Sequence, residues 1–322
     1  MDLIENVLDG VKLQSTVFCR MELSGSWGFA KEPLGGAPFH IVLSGEAWLR
    51  WPTRHARPTR LVPGDVVILP GGDAHELMSA PGARLVSFKK VLDESGAAPW
   101  SPGMRSRPIK LSLGSGSGPE THLISGIFAF GDRRNNPLLG DLPRLFHLRA
   151  EAGADGPDAW LAATVRLLEG EVCSGRPGSG VVAARLADIL FIQAIRLHLA
   201  SGTARDPGWM RGILDPWIGR ALFRIHSEPG SRWSVATLAR AAGMSRSRFA
   251  LRFRDVVGKT PLDYLTQWRM YEAAGLLARG GVDLAVLAEN AGYKSEVAFS
   301  KAFKRWAGHS PAEFKRRSRA TE

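Results

Sequence analysis

Basic side chains are grouped in two stretches near the C-terminal end that share one pattern. The first stretch begins at Ser234 and the second at Asp283; equivalent positions lie 49 residues apart before the central glycines and 50 apart after them. Guanidinium and ammonium groups bind phosphates, and arginine can also donate two parallel hydrogen bonds to one guanine. These residue types therefore favour binding to a nucleic acid over covalent catalysis.

Each stretch has the pattern of two helices joined by a tight turn. Ser234 and Ser245 are typical helix N-caps, and Gly243 stands where a left-handed conformation would end the first helix. The second stretch repeats these features at Asp283, Gly292 and Ser295. Between them, a helix from Pro261 to about Ala278 would be roughly 27 Å long. That length suits two second helices about one DNA turn, roughly 34 Å, apart.

Residues from about Asp215 to Arg317 resemble the DNA-binding domain of AraC/XylS-type transcriptional regulators. The likeness rests on the paired helix-turn-helix units, on Trp268-Arg-Met in the linking helix, and on the closing Gly-Tyr-Lys-Ser and Gly-His-Ser-Pro motifs. The resemblance implies double-stranded operator or promoter DNA as a partner and RNA polymerase as a second candidate partner.

The resemblance also implies that the first turns of each second helix enter the major groove. The candidate DNA-contacting residues are Ser245, Arg246, Ser247, Arg248, Ala250, Leu251, Arg252 and Arg254 in the first unit, and Lys294, Ser295, Glu296, Val297, Lys301, Lys304 and Arg305 in the second. Arg246 and Glu296 suit guanine and cytosine. We expect five of these residues to contact phosphates: Arg248, Arg252, Arg254, Lys304 and Arg305.

The distribution of charge favours the same partner. The chain has 322 residues and a formal net charge of +11, and residues 215–322 hold 19 Lys plus Arg against 10 Asp plus Glu. The first 214 residues hold 23 against 21, so most of the excess lies in the C-terminal third. A basic domain gains affinity for DNA by releasing counterions from phosphates.

The N-terminal part has the pattern of a β structure. Short strands with regular turn signals to about residue 90 predict a small barrel. Gly64, Pro70, Gly72 and His75 resemble the second cupin motif, and this half resembles the cupin-like sensor domain of some AraC-type regulators. The resemblance implies a small-molecule effector, whose identity the sequence does not indicate, at His40, Glu46, Trp48 and His75.

The first cupin motif is incomplete, because His40 stands without a second histidine and Glu46 is displaced from the usual spacing. Two imidazoles hold zinc or iron weakly unless another ligand completes the site. We therefore expect no metal, no cofactor and no catalysis. Two alternatives stay open: a metal-dependent cupin enzyme with an accessory helical domain, and a constitutive DNA-binding protein whose barrel only dimerises.

The predicted fold is an α+β multidomain protein. We expect a cupin-like β-barrel over residues 1–113, a linker with two helices over 114–207, and an all-α DNA-binding domain over 208–322 with two helix-turn-helix units joined by a long helix. The two middle helices, Ala159 to Cys173 and Val181 to Ala200, either pair two protomers into a homodimer or cover the barrel.

The apolar stretch from Val181 to Leu199 is interrupted by charges, so we expect no membrane span. The N-terminus has no signal pattern, and Cys19 and Cys173 belong to no motif. The sequence thus predicts a cytoplasmic, ligand-responsive transcriptional regulator, specifically an activator.

Overall fold

The computed structural model describes residues 13–53, 57–98, 108–130, 136–149, 159–201 and 207–319. The chain divides into two compact units. The β-rich unit comprises residues 14–129 and 143–196, and the helical unit contains 130–142 and the C-terminal part from residue 197. The predicted combination of a β-rich cupin-like domain with a helical C-terminal domain is confirmed.

The β-rich unit contains two sheets. Its described strands are β1 (Gln14–Ser24), β2 (Gly28–Lys31), β3 (Ala37–Ser44), β4 (Ala47–Arg50), β5 (Thr59–Leu61), β6 (Val66–Ile68), β7 (His75–Met78), β8 (Val86–Ser87), β9 (Ile109–Gly114), β10 (Glu120–Ala129) and β11 (Phe146–Leu148). The larger sheet has the order β11-β6-β3-β10-β1-β9, and the smaller has the order β5-β4-β7-β2-β8. One apolar cluster contains residues from both sheets, so the core lies between them.

Strands continue past residue 113, where the first domain was expected to end. Strand β10 pairs with β1 on one side and β3 on the other, and β11 pairs with β6. Most of β10 is buried, so its sequence lacks the alternation of a half-exposed strand. For this reason the pattern of apolar residues did not reveal it.

Of the described helices, three belong wholly or mainly to the β-rich unit: α1 (Phe88–Ser95), α2 (Ala159–Ser174) and α3 (Ser179–Ala200). The Phe191 ring of α3 packs against Phe128 of β10 and Phe146 of β11, at centroid distances of 5.1 and 6.5 Å. Helix α3 therefore covers the larger sheet, which was one of the two roles open to it. Its other side leaves Val181, Val182 and Ile189 exposed.

The described helices of the helical unit follow the predicted order. They are α4 (Trp209–Leu214), α5 (Ile218–Ser227), α6 (Val235–Ala241), α7 (Arg246–Val257), α8 (Pro261–Arg279), α9 (Leu284–Asn290), α10 (Glu296–Ala307) and α11 (Pro311–Arg319). Ser234 caps α6 in a capping box, Thr260 caps α8, and Ser295 caps α10. The turns within the pairs α6–α7 and α9–α10 contain Gly243 and Gly292, at φ of +69° and +76°.

A short piece of chain between β10 and β11 packs within the helical unit. We call residues 136–142 the docking segment. The Asn136 amide donates a hydrogen bond to the Tyr271 hydroxyl at 3.0 Å, and Trp209 Nε1 donates one to the Leu138 carbonyl at 2.7 Å. The backbone N–H of Trp209 also donates to the Asp141 carboxylate at 3.1 Å. The docking segment is thus held by α4 and α8.

Within the described part of the chain, no helix combines the length and the apolar character that crossing a bilayer requires.

Candidate nucleic-acid interface and ligand cavity

The first helix-turn-helix unit exposes the start of its second helix. Phe249 and Phe253 of α7 are fully buried and fix its inner face. The opposite face, from the N-cap onward, exposes Ser245, Arg246, Ser247, Arg248, Leu251 and Arg254, while Ala250 is half-buried. The Leu251 side chain is 73% exposed, the largest exposed fraction among the large apolar side chains of the described residues.

The second unit presents the same arrangement. Phe299 and Phe303 of α10 are fully buried, and Val297 is 65% exposed. Its other candidate residues are all exposed: Lys294, Ser295, Glu296, Lys301, Lys304 and Arg305. In both units an exposed apolar side chain lies among basic and polar ones, a composition that can contact both thymine methyls and hydrogen-bonding base edges.

The linking helix α8 connects the two units through Arg269. Its guanidinium donates hydrogen bonds to the carbonyls of Pro229 and Ser231, which precede α6, at 2.6 and 2.7 Å. The same guanidinium lies so close to Gly292 that a Cβ there would be 2.8 Å from it. One side chain therefore ties the start of the first unit to the turn of the second.

Arg252, a predicted phosphate contact, already has partners within the protein. Its guanidinium forms an ion pair with Asp215 at 2.7 Å and lies 4.6 Å from the centroid of the Trp217 ring. The other oxygen of Asp215 accepts hydrogen bonds from the N–H groups of Trp217 and Ile218 at the start of α5. Burial alone would raise the pKa of Asp215, but the hydrogen bonds from Arg252 and these N–H groups lower it overall. Arg252 thus stabilises the helical unit internally.

Two predicted ligand residues, His40 and His75, lie together inside the β-rich unit. Their Nε2 atoms are 2.9 Å apart, and His75 Nδ1 donates to the Asp73 carbonyl at 2.9 Å. In the neutral ring, His75 Nε2 is therefore the acceptor in the contact between the two histidines, and His40 Nε2 is the donor. His40 Nδ1 in turn accepts a hydrogen bond from the Ser125 hydroxyl at 2.6 Å. Burial, reinforced by the nearby Lys31 ammonium, lowers the pKa of His75 to about 4 and holds that of His40 well below its usual range. Both rings are neutral at pH 7.

This pair does not fit a metal. In the tautomers inferred above, the contact between the two Nε2 atoms is a hydrogen bond, so each of these nitrogens already has a partner. In the residues that the structure covers, no group of three His, Cys, Asp or Glu side chains converges. A cupin metal needs at least one further ligand.

The other two predicted ligand residues do not join the histidines. Gly45, at φ +73°, turns the chain between the two sheets, and Glu46 beside it is exposed and forms an ion pair with Arg60. Trp48 lies between the buried Ala47 and Leu49 of β4, so its side chain is on the opposite face from theirs. Neither residue lines the interior.

Sequence reasoning missed a cavity of about 190 Å³ whose wall includes Ser125, the hydrogen-bond partner of His40. Lys31 and Ser125 are polar residues of its wall, with Phe18, Phe88 and Ile127 among the apolar ones. Lys31 is 7% exposed, although it belongs to the most rarely buried residue types. The alternation in Gly28-Phe-Ala-Lys31 was a usable signal, because it places Lys31 on the same face of β2 as the buried Phe29.

The comparisons with known proteins agree with both units. Residues 2–200 match a family model described as Cupin, and residues 238–317 match one described as Helix-turn-helix domain. The chain is 31% identical to the HTH-type transcriptional regulator AlkR of Acinetobacter baylyi over 320 residues, covering 99% of this chain and 100% of AlkR.

Two further relatives have similar names. A putative AraC-like transcription regulator of Streptomyces lividans is 32% identical over 318 residues, which is 98% of each chain. The RCS-specific HTH-type transcriptional activator RclR of Escherichia coli is 30% identical over 281 residues, covering 87% of this chain and 84% of RclR.

Proposed function

This chain belongs to the AraC-type family of helix-turn-helix transcriptional regulators with an N-terminal cupin domain, and we propose that it reads a two-part operator with the first turns of α7 and α10. It is a DNA-binding regulator and not an enzyme, since its full-length relatives are named as regulators. The observation that supports this mode of reading most directly is that both helices expose an apolar side chain among polar ones, Leu251 in α7 and Val297 in α10.

In this proposal, contacts to bases and contacts to phosphates come from different residues. Arg246, Ser247, Ala250 and Leu251 of α7 read one major-groove segment, and Glu296, Val297 and Lys301 of α10 read the next. Arg248, Arg254, Lys304 and Arg305 contact phosphates, with Ser245, Lys294 and Ser295 at the helix starts. Arg252 is excluded from this set because it is paired with Asp215.

Selection of genomic fragments by the purified full-length protein tests the proposal. We expect one motif with two blocks about ten base pairs apart, the spacing of successive major grooves on one face. The double variant Arg246→Ala with Lys301→Ala should lose preference within both blocks, about 1 to 3 kcal/mol for each lost base contact.

A matched control also removes one arginine and one lysine, but from exposed positions of the β-rich unit: Arg166→Ala with Lys90→Ala. This control should keep the motif. Equal weakening by both double variants, or salt-sensitive binding without any motif, would contradict the proposed reading.

We further propose that a small effector binds in the β-rich unit and changes operator occupancy. Support comes from the cavity and from the buried polar groups that surround it. A ligand that binds only the folded protein raises its melting temperature, so a thermal-shift screen of small metabolites on the full-length protein finds candidates. If none of the stabilising compounds alters operator affinity, constitutive DNA binding is the better account.

We propose that the regulator acts as a homodimer. The support is the set of exposed apolar side chains of α3, namely Val181, Val182 and Ile189; Leu167 of α2 is exposed as well. Several exposed apolar side chains on one helix are typical of an association surface.

We propose that the regulator activates transcription through contact with RNA polymerase. This takes place in the cytoplasm, where promoter DNA and polymerase meet. The name of the Escherichia coli relative, a transcriptional activator, supports this sign. Transcription in vitro from a selected operator tests it: added protein should increase the transcript, and a decrease would identify a repressor.

A further inference from the structure

Lys31 places an ammonium group in the apolar interior of the β-rich unit. Its Nζ lies 4.2 Å from the centroid of the Phe88 ring and 5.8 Å from that of Phe29. Among the described residues, no carboxylate forms an ion pair with it. Burying an ammonium group without a counter-ion is costly, and two aromatic faces offset only part of that cost. Such a group is suited to receive an anion.

The ammonium group lies at the wall of the cavity of about 190 Å³. The walls also include Phe18, Phe88, Leu92 and Ile127, and their surface is mostly apolar. An apolar cavity of about 150 Å³ accommodates benzene in another protein. The space beside Lys31 is therefore sufficient for a molecule the size of benzoate or hexanoate.

The groups around Lys31 restrict the charge of the ligand to one. Burial raises the pKa of the Cys19 thiol to about 12, so this neighbour stays protonated and uncharged. His40 and His75 are neutral, as described above. Glu32 and Lys89 border the cavity but are exposed to solvent. A dianion such as phosphate would bury a second charge without a partner, whereas a monoanion would not.

We propose that this cavity binds a small monocarboxylate with an apolar body, whose carboxylate accepts a hydrogen bond from Lys31 Nζ while its hydrocarbon part contacts Phe18, Phe88 and Ile127. The inference rests on the effector function proposed above and gives its chemical class. Ser125 and Ile127 belong to β10, and the chain leaves that strand towards the docking segment. A ligand in the cavity therefore contacts the strand that leads into the helical unit.

Calorimetric titration of the full-length protein with benzoate, hexanoate and benzamide tests the proposal. Benzamide has the shape of benzoate without its charge. We expect benzoate or hexanoate to bind, and the carboxylate to bind about tenfold to a hundredfold more tightly than benzamide, the range that a charge-assisted hydrogen bond supplies. This comparison uses the wild-type protein and does not depend on how a variant folds.

The variant Lys31→Met removes the charge and keeps the length of the side chain. It should lose the preference for the carboxylate and bind benzamide within about threefold of the wild type, since its apolar contacts are retained. The matched control is Lys90→Met, an exposed position of α1 outside the cavity wall, which should bind like the wild type. Loss of the unpaired ammonium should also raise the melting temperature of Lys31→Met.

Two results would overturn the inference. One is no heat of binding with either carboxylate at millimolar concentration; the other is equal binding of benzoate and benzamide, unaffected by Lys31→Met. Operator titration in the same samples separates this inference from the proposed function. Carboxylate binding without any change in operator affinity would contradict the effector function alone, while operator control by other compounds, without carboxylate binding, would contradict only the ligand class.

Discussion

The Asn136 amide donates a hydrogen bond to the Tyr271 hydroxyl at 3.0 Å, and both side chains are buried. These residues are separated by 135 positions in the sequence. Asn136 follows the strand that lines the cavity, and Tyr271 belongs to the helix that links the two DNA-reading units. Asn136 also accepts a hydrogen bond from the Leu138 N–H through its Oδ1, so its side chain shapes the docking segment as well as holding it.

Removing this hydrogen bond should reduce stability. Tyr271→Phe leaves the Asn136 amide buried without this partner, and we expect the free energy of unfolding to fall by about 1 to 3 kcal/mol. Urea denaturation of the wild type, Tyr271→Phe, Asn136→Ala and the double variant gives the coupling energy of the pair. Strictly additive losses would show that the hydrogen bond contributes nothing.

Arg252 and Arg254, two residues apart on α7, should respond differently to truncation. Arg252→Ala leaves the largely buried Asp215 carboxylate without its ion pair, so the free energy of unfolding should fall by about 1 to 3 kcal/mol. Arg254→Ala should leave unfolding unchanged but weaken operator binding and reduce its salt dependence by about one unit of slope. Denaturant unfolding and fluorescence anisotropy at several salt concentrations check both. If Arg252→Ala instead reduced the salt dependence of operator binding and kept normal stability, Arg252 would be a phosphate contact after all.

Stability should fall as the pH falls from about 6.5 towards 4. The unfolded chain takes up protons on its histidines near pH 6.5, whereas His75 in the folded protein does so only near its pKa of about 4. The contribution of neutral His75 to the free energy of unfolding is therefore fully present above pH 6.5. It is lost as the pH falls towards the pKa of His75 in the folded protein, and the loss is about 3 kcal/mol. Buried His226, whose pKa burial lowers to about 3, acts in the same direction.

Urea denaturation between pH 7 and pH 4 measures this effect. The variant His75→Asn removes one titrating group and should show a shallower dependence on pH, even if it is less stable at pH 7. An identical slope in the variant and the wild type would mean that His75 is accessible to protons in the folded state.

The exposed apolar side chains of α3 should determine the oligomeric state. Val182→Lys with Ile189→Lys places charges at two exposed apolar positions seven residues apart, which lie on one face of α3. We expect the variant to be a monomer at concentrations where the wild type is a dimer, as measured by light scattering after size exclusion. The control Arg185→Ala changes a charged neighbour that is paired with Asp188. A monomeric wild type would contradict the dimer proposal outright.

The paired helix-turn-helix units were predictable because the physics that specifies them is local. Ser234, Gly243 and Pro261 act on the few residues beside them as a cap, a left-handed turn and a helix start. The spacing of Phe249 and Phe253 indicated which face of α7 would be buried. The same periodicity indicated that most of the candidate DNA-contacting residues of α7 and α10 would be exposed.

Residues whose role depends on distant partners were not predictable in this way. Arg252 has the same residue type as Arg248 and differs only in lying beside Asp215, 37 positions earlier. The cupin resemblance implied that Glu46 would lie near His40, but Glu46 follows the turn at Gly45 and lies at the surface.

The sequence by itself determined the two helical reading units and the excess of positive charge, because caps, periodicity and composition act over a few residues at a time. The motifs of those units also carried the family resemblance. Only the tertiary structure decided that Lys31 borders a cavity, that His40 bonds His75, and that Asn136 reaches Tyr271. Each of these depends on strands and helices from distant parts of the chain packing together, and the burial that this packing produces changes the chemistry of the side chains.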